Sequence, residues 1–409
     1  MVAKTTSEVC GQMALVVENR LKVLMVTTSF PVEGNPVSGI FVKRLADALS
    51  DRVSLTVLMP GSTESCQLDA PYPLFSFRYA PRRWQLLAHR PGGIPVALKA
   101  SPILWLLLPG FLLAMFFQVI RLGMRADVIH ANWSVPGVMA GLAGWFIRKP
   151  VITTLRGSDV SSLEKSLIKR RILGALLRLN KRVSTVSETI QKELVVLAPR
   201  YASRIKVIPN GVEDSLLRVE RESHPSFQLL TVGNLIQGKD IATIIKALSR
   251  QVTPMSLRVV GEGEEYRNLK QLVQELGVES QVNFVGVVPP PEIAGELKKA
   301  DAFILASRSE GRPNVVLEAM AAGCPVISSK LPGVQELIEH QKHGLLFEPG
   351  DISTLAEHIR RLATSPELCL ELARHARRQI IDKKITWSNC AERYQDEYLA
   401  MSKCSREAI

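Results

Sequence analysis

Two carboxylates eight residues apart, Glu310 and Glu318, bracket a loop and a helix start in SEGRPNVVLEAMAAGCPV, residues 309–326. The helix is expected to begin near Asn314 or Val315. The free N–H groups of such a start hold an anion of the pyrophosphate type. Gly311 has no side chain and lets a ligand approach the backbone closely. Glu318, one turn into the helix, is placed to accept from two vicinal hydroxyls of a ribose, and Glu310 from hydroxyls of a second sugar, because carboxylates suit adjacent OH groups. The spacing alone leaves a second reading open, in which Glu318 only complements the helix macrodipole.

Around this segment the chain alternates strands and helices. LKVLMVTTSF (21–30) reads as a first strand, PVEGNPVSG (31–39) as a loop, IFVKRLADALS (40–50) as a helix and VSLTVLMP (53–60) as the next strand. Further strands are expected at 126–131, 150–155, 182–187 and 205–212, and in the second half at 227–234, 257–263, 282–288, 301–307 and 324–330. Two successive α/β units imply two doubly wound domains, with ligands at the carboxyl ends of the strands in a cleft between them. The limits drawn are a loose leader at 1–19, an N-terminal domain at 20–205 and a C-terminal domain at 206–385. In the tail, 386–409, Trp387, Tyr394 and Tyr398 at helical spacing imply a helix docked on something apolar.

The chain of 409 residues carries a net charge of +12, and the excess is lopsided. Residues 1–205 hold 26 Lys and Arg against 12 Asp and Glu, and the rest is nearly balanced. A basic half suits an acidic ligand, anionic lipid or nucleic acid. Few aromatics and no readout motif argue against nucleic acid. Six scattered cysteines lack any C-x-x-C pair and read as reduced thiols. His340 and His343 have no evident third ligand, and there is no H-E-x-x-H and no D-x-D. No G-x-G-x-x-G follows the first strand, so a dinucleotide cofactor is not supported.

No secretory signal is evident at the N-terminus. The segment SPILWLLLPGFLLAMFFQVI, 101–120, is long and apolar enough to be a transmembrane candidate. Pro102, Pro109 and Gly110 interrupt it, basic residues flank both ends, and a strand-like run follows at once. Three readings stay open: a core-packed helix, a helix dipping into one leaflet, and a span.

The Glu310–Glu318 segment resembles the Glu-x7-Glu segment of the retaining glycosyltransferases of family four, which adopt the GT-B fold. The resemblance runs along nearly the whole chain. VGNLIQGKD (232–240) is similar to the family's V-G-R-L-x-x-x-K-G. VSTVS (183–187), KVIPNGV (206–212), VVGEGEE (259–265), VNFVGVV (282–288), PGVQELI (332–338) and HGLLFEPGD (343–351) occur in the family's order, and DVIHANW (127–133) and TLRGSD (154–159) resemble its N-terminal domain. It implies an α/β, GT-B protein of two Rossmann-like domains facing a cleft, with the C-terminal helix packing back on the N-terminal domain. It also implies a bacterial cell-envelope or exopolysaccharide type of enzyme.

By resemblance, Lys239 matches the lysine on the donor diphosphate, where a cation stabilises the charge growing on the leaving group. Glu318 matches the glutamate on the nucleotide ribose and Glu310 the one on the donor sugar. Gly311, Arg312, Val315 and Val316 fall where backbone meets sugar and phosphate. Gly39 resembles the glycine of the N-terminal loop over the phosphates. Val287 and Val288 resemble the strand end beside the base, and read equally well as core. Three positions depart from the pattern. Asn234 stands where the family has an arginine, Asn132 where a second histidine is frequent beside His130, and Arg156 where a histidine precedes Gly157, with Asp159 retained. Arg312 or Arg156 can restore the missing charge, or Arg156 can mean altered acceptor binding.

The activity implied is transfer of a hexosyl group, with retention, from a nucleotide-diphosphate sugar to a saccharide or lipid-linked acceptor, without metal or other cofactor. The catalytic candidates are Lys239, Glu310, His130 and Arg156. Acceptor-side candidates are Asn132, Arg156 and Asp159. The charge and the 101–120 segment imply a peripheral protein on the anionic inner face of a cell membrane. The rivals are a GT-B sugar-nucleotide 2-epimerase, which needs no acceptor, and an inactive relative serving as a membrane-complex scaffold, which binds nucleotide without turnover.

Overall fold

The computed structural model describes residues 20–406, apart from 34, 63–68, 90–92, 158, 161–165 and 223. The expected leader 1–19, Cys10, Cys66 and Arg90 lie outside the described residues, as does the side chain of Cys404. The chain forms two units. The first comprises residues 1–185, 193–208 and 390–409, and the second residues 186–192 and 209–389.

The first unit begins with β1 (Lys22–Val26), α1 (Ile40–Ser50), β2 (Ser54–Pro60) and β3 (Leu74–Phe77). It continues with α2 (Gly93–Ala100), a 3-10 turn at Pro102–Leu107, α3 (Leu108–Gly123), β4 (Val128–Asn132), α4 (Ser134–Phe146), β5 (Val151–Leu155), α5 (Leu167–Leu179), β6 (Arg182–Thr185), α6 (Glu188–Leu197), of which residues 188–192 fall in the second unit, and β7 (Ile205–Val207). All seven strands are parallel, in the order β3-β2-β1-β4-β5-β6-β7. Every residue of β4 and β5 is buried, as expected of central strands covered by helices on both faces. β1 and β4 are neighbours, with Val23 beside Val128 and Val26 beside Ala131. The chain leaves β1 for one edge and returns at β4 for the other, so this pair is the switch point where a crevice opens at the strands' carboxyl ends.

The second unit contains β8 (Phe227–Val232), α7 (Ile241–Leu248), β9 (Met255–Val260), α8 (Tyr266–Glu275), β10 (Val282–Gly286), α9 (Ile293–Lys299), β11 (Ala302–Leu305), α10 (Asn314–Ala321), β12 (Val326–Ser329), α11 (Pro332–Gln335), β13 (Leu345–Phe347), α12 (Ile352–Thr364) and α13 (Pro366–Asp382). Its six strands are parallel, in the order β10-β9-β8-β11-β12-β13. Here the switch point lies between β8 and β11, where Leu229 pairs with Ala302. Its core covers both sheet faces, with Phe303, Val316 and Met320 on one side and Ile244, Leu257 and Ile359 on the other.

The last helix, α14 (Trp387–Arg406), returns to the first unit from Cys390 onward. It docks as the sequence implies, but not on an apolar surface. Tyr394 and Tyr398 are fully buried, and their hydroxyls enter a polar cluster. Tyr398 Oη lies 2.6 Å from His130 Nδ1, and Tyr394 Oη lies 2.7 Å from Thr154 Oγ1 and 3.0 Å from Ser184 Oγ. A phenol buried without a partner would cost roughly 1–3 kcal/mol, so the cluster fixes where the helix seats.

The apolar segment 101–120 is the 3-10 turn and most of α3, on the crossover between β3 and β4. Pro102–Gly123 is long and apolar enough by composition to cross a membrane. Phe111, Met115 and Val119 are nevertheless fully buried in the first unit's core, where Phe111 packs edge-on against Phe77 and Tyr79. Such burial stabilises by about 1.5–3 kcal/mol per side chain. The segment is therefore a helix of this domain rather than a span, and its opposite face carries exposed apolar residues as well.

Candidate functional site

In the second unit, the β8 and β11 loops are stitched together at the switch point. Lys239 closes the short 3-10 turn Gln237–Lys239, and its Nζ donates to Glu310 Oε1 at 2.5 Å. Ser307 Oγ donates to the same oxygen at 2.7 Å, and Ser329 Oγ holds the Ser307 carbonyl from β12. A second tie runs in parallel: Arg308 Nε donates to Asp240 Oδ2 at 3.0 Å, and its backbone N–H to the Gly238 carbonyl. Lys239 keeps 26% of its side-chain surface exposed and Glu310 14%, so a ligand can reach both. Their pairing neutralises a cation and an anion at the switch point.

Glu318 sits one turn into α10 and is buried. Pro313 is the N-cap of the helix and makes no side-chain cap hydrogen bond. Val316 is wholly buried and its N–H bonds the Pro313 carbonyl, while Val315 is half-buried. Gly311 is held from behind by α11. A Cβ on Gly333 would lie 2.2 Å from the Gly311 carbonyl oxygen, so only glycine lets the PGVQELI turn back this loop. The sequence flagged that motif without assigning Gly333 a role. Val287 is 41% exposed, whereas Val288 packs against the core. Asn234 is exposed.

Arg312 does not take the place of the arginine missing at 234. Its side chain is only 7% exposed, and Nη1 lies 3.7 Å from Glu336 Oε2. The cation next to Lys239 is instead Arg308, 64% exposed and anchored by Asp240. Sequence reasoning passed over it because its partner lies 68 residues away.

In the first unit, the crevice at β1 and β4 gathers Gly39, Asn132, Arg156 and Asp159. Gly39 caps α1 with φ 61°, and a Cβ there would meet the Ser29 carbonyl oxygen at 2.3 Å. The loop it closes is pinned by Ser29 Oγ to Ser38 Oγ and by Asn35 Nδ2 donating to the His89 carbonyl. Arg156 Nη2 donates to Asn132 Oδ1 at 2.9 Å, and its guanidinium lies over the Phe41 ring at 4.4 Å. Asp159 accepts from the N–H groups of Arg156 and Ser134, capping α4. Burial pushes the Arg156 pKa down and that of Asp159 up; the cation beside Asp159 and the N–H groups donated to it only partly offset this. Trp133, between Asn132 and α4, is held at φ 71°, a strained conformation of the kind that collects at functional sites.

His130 is not available to a substrate. It is fully buried, with Nδ1 on Tyr398 and Nε2 on Thr154 Oγ1 at 2.7 Å. Burial, with a smaller contribution from the Arg156 charge, lowers its pKa to about 3, so it stays neutral. Its role is to seat α14, and it leaves the list of catalytic candidates. Among the described residues no group of three or more His, Cys, Asp or Glu side chains is placed to hold a metal ion.

Known proteins place this geometry in context. Residues 38–216 match the family model described as Glycosyltransferase Family 4, and residues 213–379 the model described as Glycosyl transferases group 1. The chain is 27% identical over 271 residues to N-acetyl-alpha-D-glucosaminyl L-malate synthase of Bacillus anthracis, covering 63% of this chain and 70% of that one. It is 28% identical over 366 residues to the putative teichuronic acid biosynthesis glycosyltransferase TuaC of Bacillus subtilis, covering 83% and 89%. Its fold is shared with Anabaena Alr3699/HepE, solved in complex with UDP-glucose, at a TM-score of 0.72 and 21% identity over 93% of this chain and 99% of that one. Taken together, the two models span residues 38–379, and the chain belongs to the group 1, family 4 glycosyltransferases, with the GT-B fold.

Proposed function

We propose that the protein is a retaining, metal-independent hexosyltransferase. It moves a sugar from a nucleotide-diphosphate donor to a lipid-linked saccharide of a cell-surface polysaccharide pathway, at the inner face of a membrane. The observation that carries this reading is the Lys239–Glu310 pair at the second unit's switch point, one loop before the start of α10. The donor diphosphate displaces Glu310 from Lys239 and draws on the α10 N–H groups. Glu310, released, accepts from the sugar hydroxyls, and Glu318 accepts from the ribose. With no D-x-D in the chain, Lys239, Arg308 and the helix start supply the positive charge.

As the bond from the anomeric carbon to the phosphate oxygen breaks, the acceptor oxygen bonds from the same face, and its proton passes to the departing diphosphate. The first unit presents the acceptor through Arg156, oriented by Asn132. The lipid-linked class rests on the basic first half of the chain and on the kind of pathway printed for TuaC. The test is product analysis with nucleotide sugars and polyprenyl-diphosphate saccharides in chelator. A product with the donor's anomeric configuration, formed undiminished in chelator, supports the reading. An inverted product or loss of turnover in chelator overturns it, and an epimerised donor formed without acceptor favours the epimerase.

A further inference from the structure

The face of α3 opposite the core is apolar along its length, and among the described residues nothing covers it. Leu106, just before the helix, and Leu113, Phe117 and Met124 are 78%, 59%, 62% and 59% exposed. They recur at intervals of seven, four and seven, which is a single helical stripe. The core side of the same helix holds Phe111, Met115 and Val119, so α3 is apolar on two opposite faces. A helix apolar all round has two apolar neighbours, and the domain supplies one. The stripe widens onto the end of α4, where Phe146 packs edge-on against Phe116, and Trp145 and Phe146 are themselves exposed.

Charge identifies the second neighbour. Between residues 70 and 158 the sequence has ten Lys and Arg and one acid, Asp127, whose carboxylate accepts the Lys22 N–H. Helices connecting parallel strands run opposite to them, so α3 and α4 end at the same sheet edge. Arg121, Arg125, Arg148 and Lys149 are gathered there, and among the described residues none of the four forms an ion pair. Arg82, Arg83 and Trp84 flank the other end of α3, near Tyr79, whose carbonyl lies against Gly110. Three of the chain's five tryptophans, Trp84, Trp105 and Trp145, are exposed in this one region. An apolar stripe about 24 Å long, bordered by tryptophans and cations, matches an anionic bilayer surface, where aromatic rings sit at headgroup level and acyl chains receive the stripe.

We infer that the α3 stripe, with the end of α4, is a docking face for an anionic lipid leaflet, on which α3 lies in the plane of the interface. This rests on reading the acceptor as lipid-linked and names the surface that brings the enzyme to it. The amino end of α3 is on the same sheet edge as the crevice of Gly39, Asn132 and Arg156, so docking presents the crevice beside the leaflet.

The test is flotation of the full chain with phosphatidylglycerol–phosphatidylcholine vesicles and with phosphatidylcholine alone, comparing wild type, the pair Leu113→Glu and Phe117→Glu, and the pair Arg121→Glu and Arg125→Glu. Wild type is expected to float with the anionic vesicles only, with Trp105 and Trp145 quenched by brominated lipid. Each pair should lower the bound fraction about tenfold. All altered side chains are exposed, so melting temperature and the thermal shift with nucleotide sugar should stay unchanged. Wild type failing to float, or both pairs floating like wild type, overturns the docking face. So does a dimer in solution that the apolar pair dissociates, since a second copy would then be the occupant. A protein that shifts with nucleotide sugar yet never floats loses only this inference. One that floats through this face but takes no nucleotide sugar loses the reaction and keeps the face.

Discussion

Arg156 and Asn132, the two first-unit positions at which the chain departs from the family pattern, are each other's partner: Arg156 Nη2 donates to Asn132 Oδ1 at 2.9 Å. At two positions where the family pattern favours histidine, this chain carries a charged donor and its own acceptor. The guanidinium is further placed by the Phe41 ring, while Asp159 fixes the Arg156 backbone. The exchange fits an acceptor held by a fixed positive charge.

Replacing Arg156 by alanine is expected to lower kcat/KM for the acceptor about 100-fold, the loss of one charge-assisted contact of roughly 2.7 kcal/mol. Donor affinity should stay within about twofold. Asn132→Ala should act through Arg156, so the double variant is expected to be little worse than Arg156→Ala alone. Steady-state kinetics with varied acceptor at saturating donor measures this, and additive losses would show that the two residues act independently.

Glu310 and Lys239 occupy one another in the free protein, which gives an asymmetric prediction. Lys239→Ala should weaken both nucleoside diphosphate and nucleotide sugar by roughly 10- to 100-fold. Glu310→Gln frees the lysine, so it should bind nucleoside diphosphate at least as tightly as wild type while weakening the nucleotide sugar. Titration calorimetry with the two ligands separates the cases, and parallel weakening of both by Glu310→Gln would contradict the pairing.

Much of the candidate donor site is legible in the sequence because its parts are local. Glu310, Gly311 and Glu318 share one loop and one helix, and Lys239 sits in a recognisable strand-to-loop run. What escapes depends on contacts far apart in the chain. Arg312 stands beside Glu310 in sequence and so invites a role on the phosphates, but the helix start turns it toward Glu336, and Arg308 stands beside Lys239 instead. His130 looks catalytic in its motif because nothing local shows that β4 is central and covered by α14. Tyr394 and Tyr398 read as apolar anchors because their hydroxyl partners lie more than 200 residues earlier. β3 and β13 are not among the expected strands.

The buried imidazole predicts a pH dependence. Folded His130 has a pKa near 3 against 6.5 for an ordinary histidine, so between these values the unfolded chain binds the extra proton. The contribution of His130 to stability is whole above about pH 6.5 and is lost as pH falls, by up to about 1.4 kcal/mol per pH unit. The melting-temperature advantage of wild type over His130→Gln should therefore shrink steadily from pH 7 to pH 4. A constant difference across that range would mean the imidazole is charged within the fold.

Gly39→Ala places a methyl 2.3 Å from the Ser29 carbonyl oxygen in a left-handed conformation. The conformation alone costs about 1–2 kcal/mol, and the clash forces the β1 loop to move. The expected result is a lower melting temperature and impaired transfer, with donor affinity in the isolated binding step changing far less than in Lys239→Ala. An unperturbed Gly39→Ala enzyme would show that the loop has no part in turnover.

The most direct measurement is the thermal shift of the full chain with a panel of nucleotide-diphosphate sugars in excess chelator, run on wild type, Lys239→Ala and Arg156→Ala. The correct donor at about 100 times its Kd should stabilise wild type by about 2.7 kcal/mol, Arg156→Ala equally, and Lys239→Ala hardly at all. A shift that requires divalent metal, or one that survives Lys239→Ala and vanishes with Arg156→Ala, would contradict a lysine-centred donor site in the second unit.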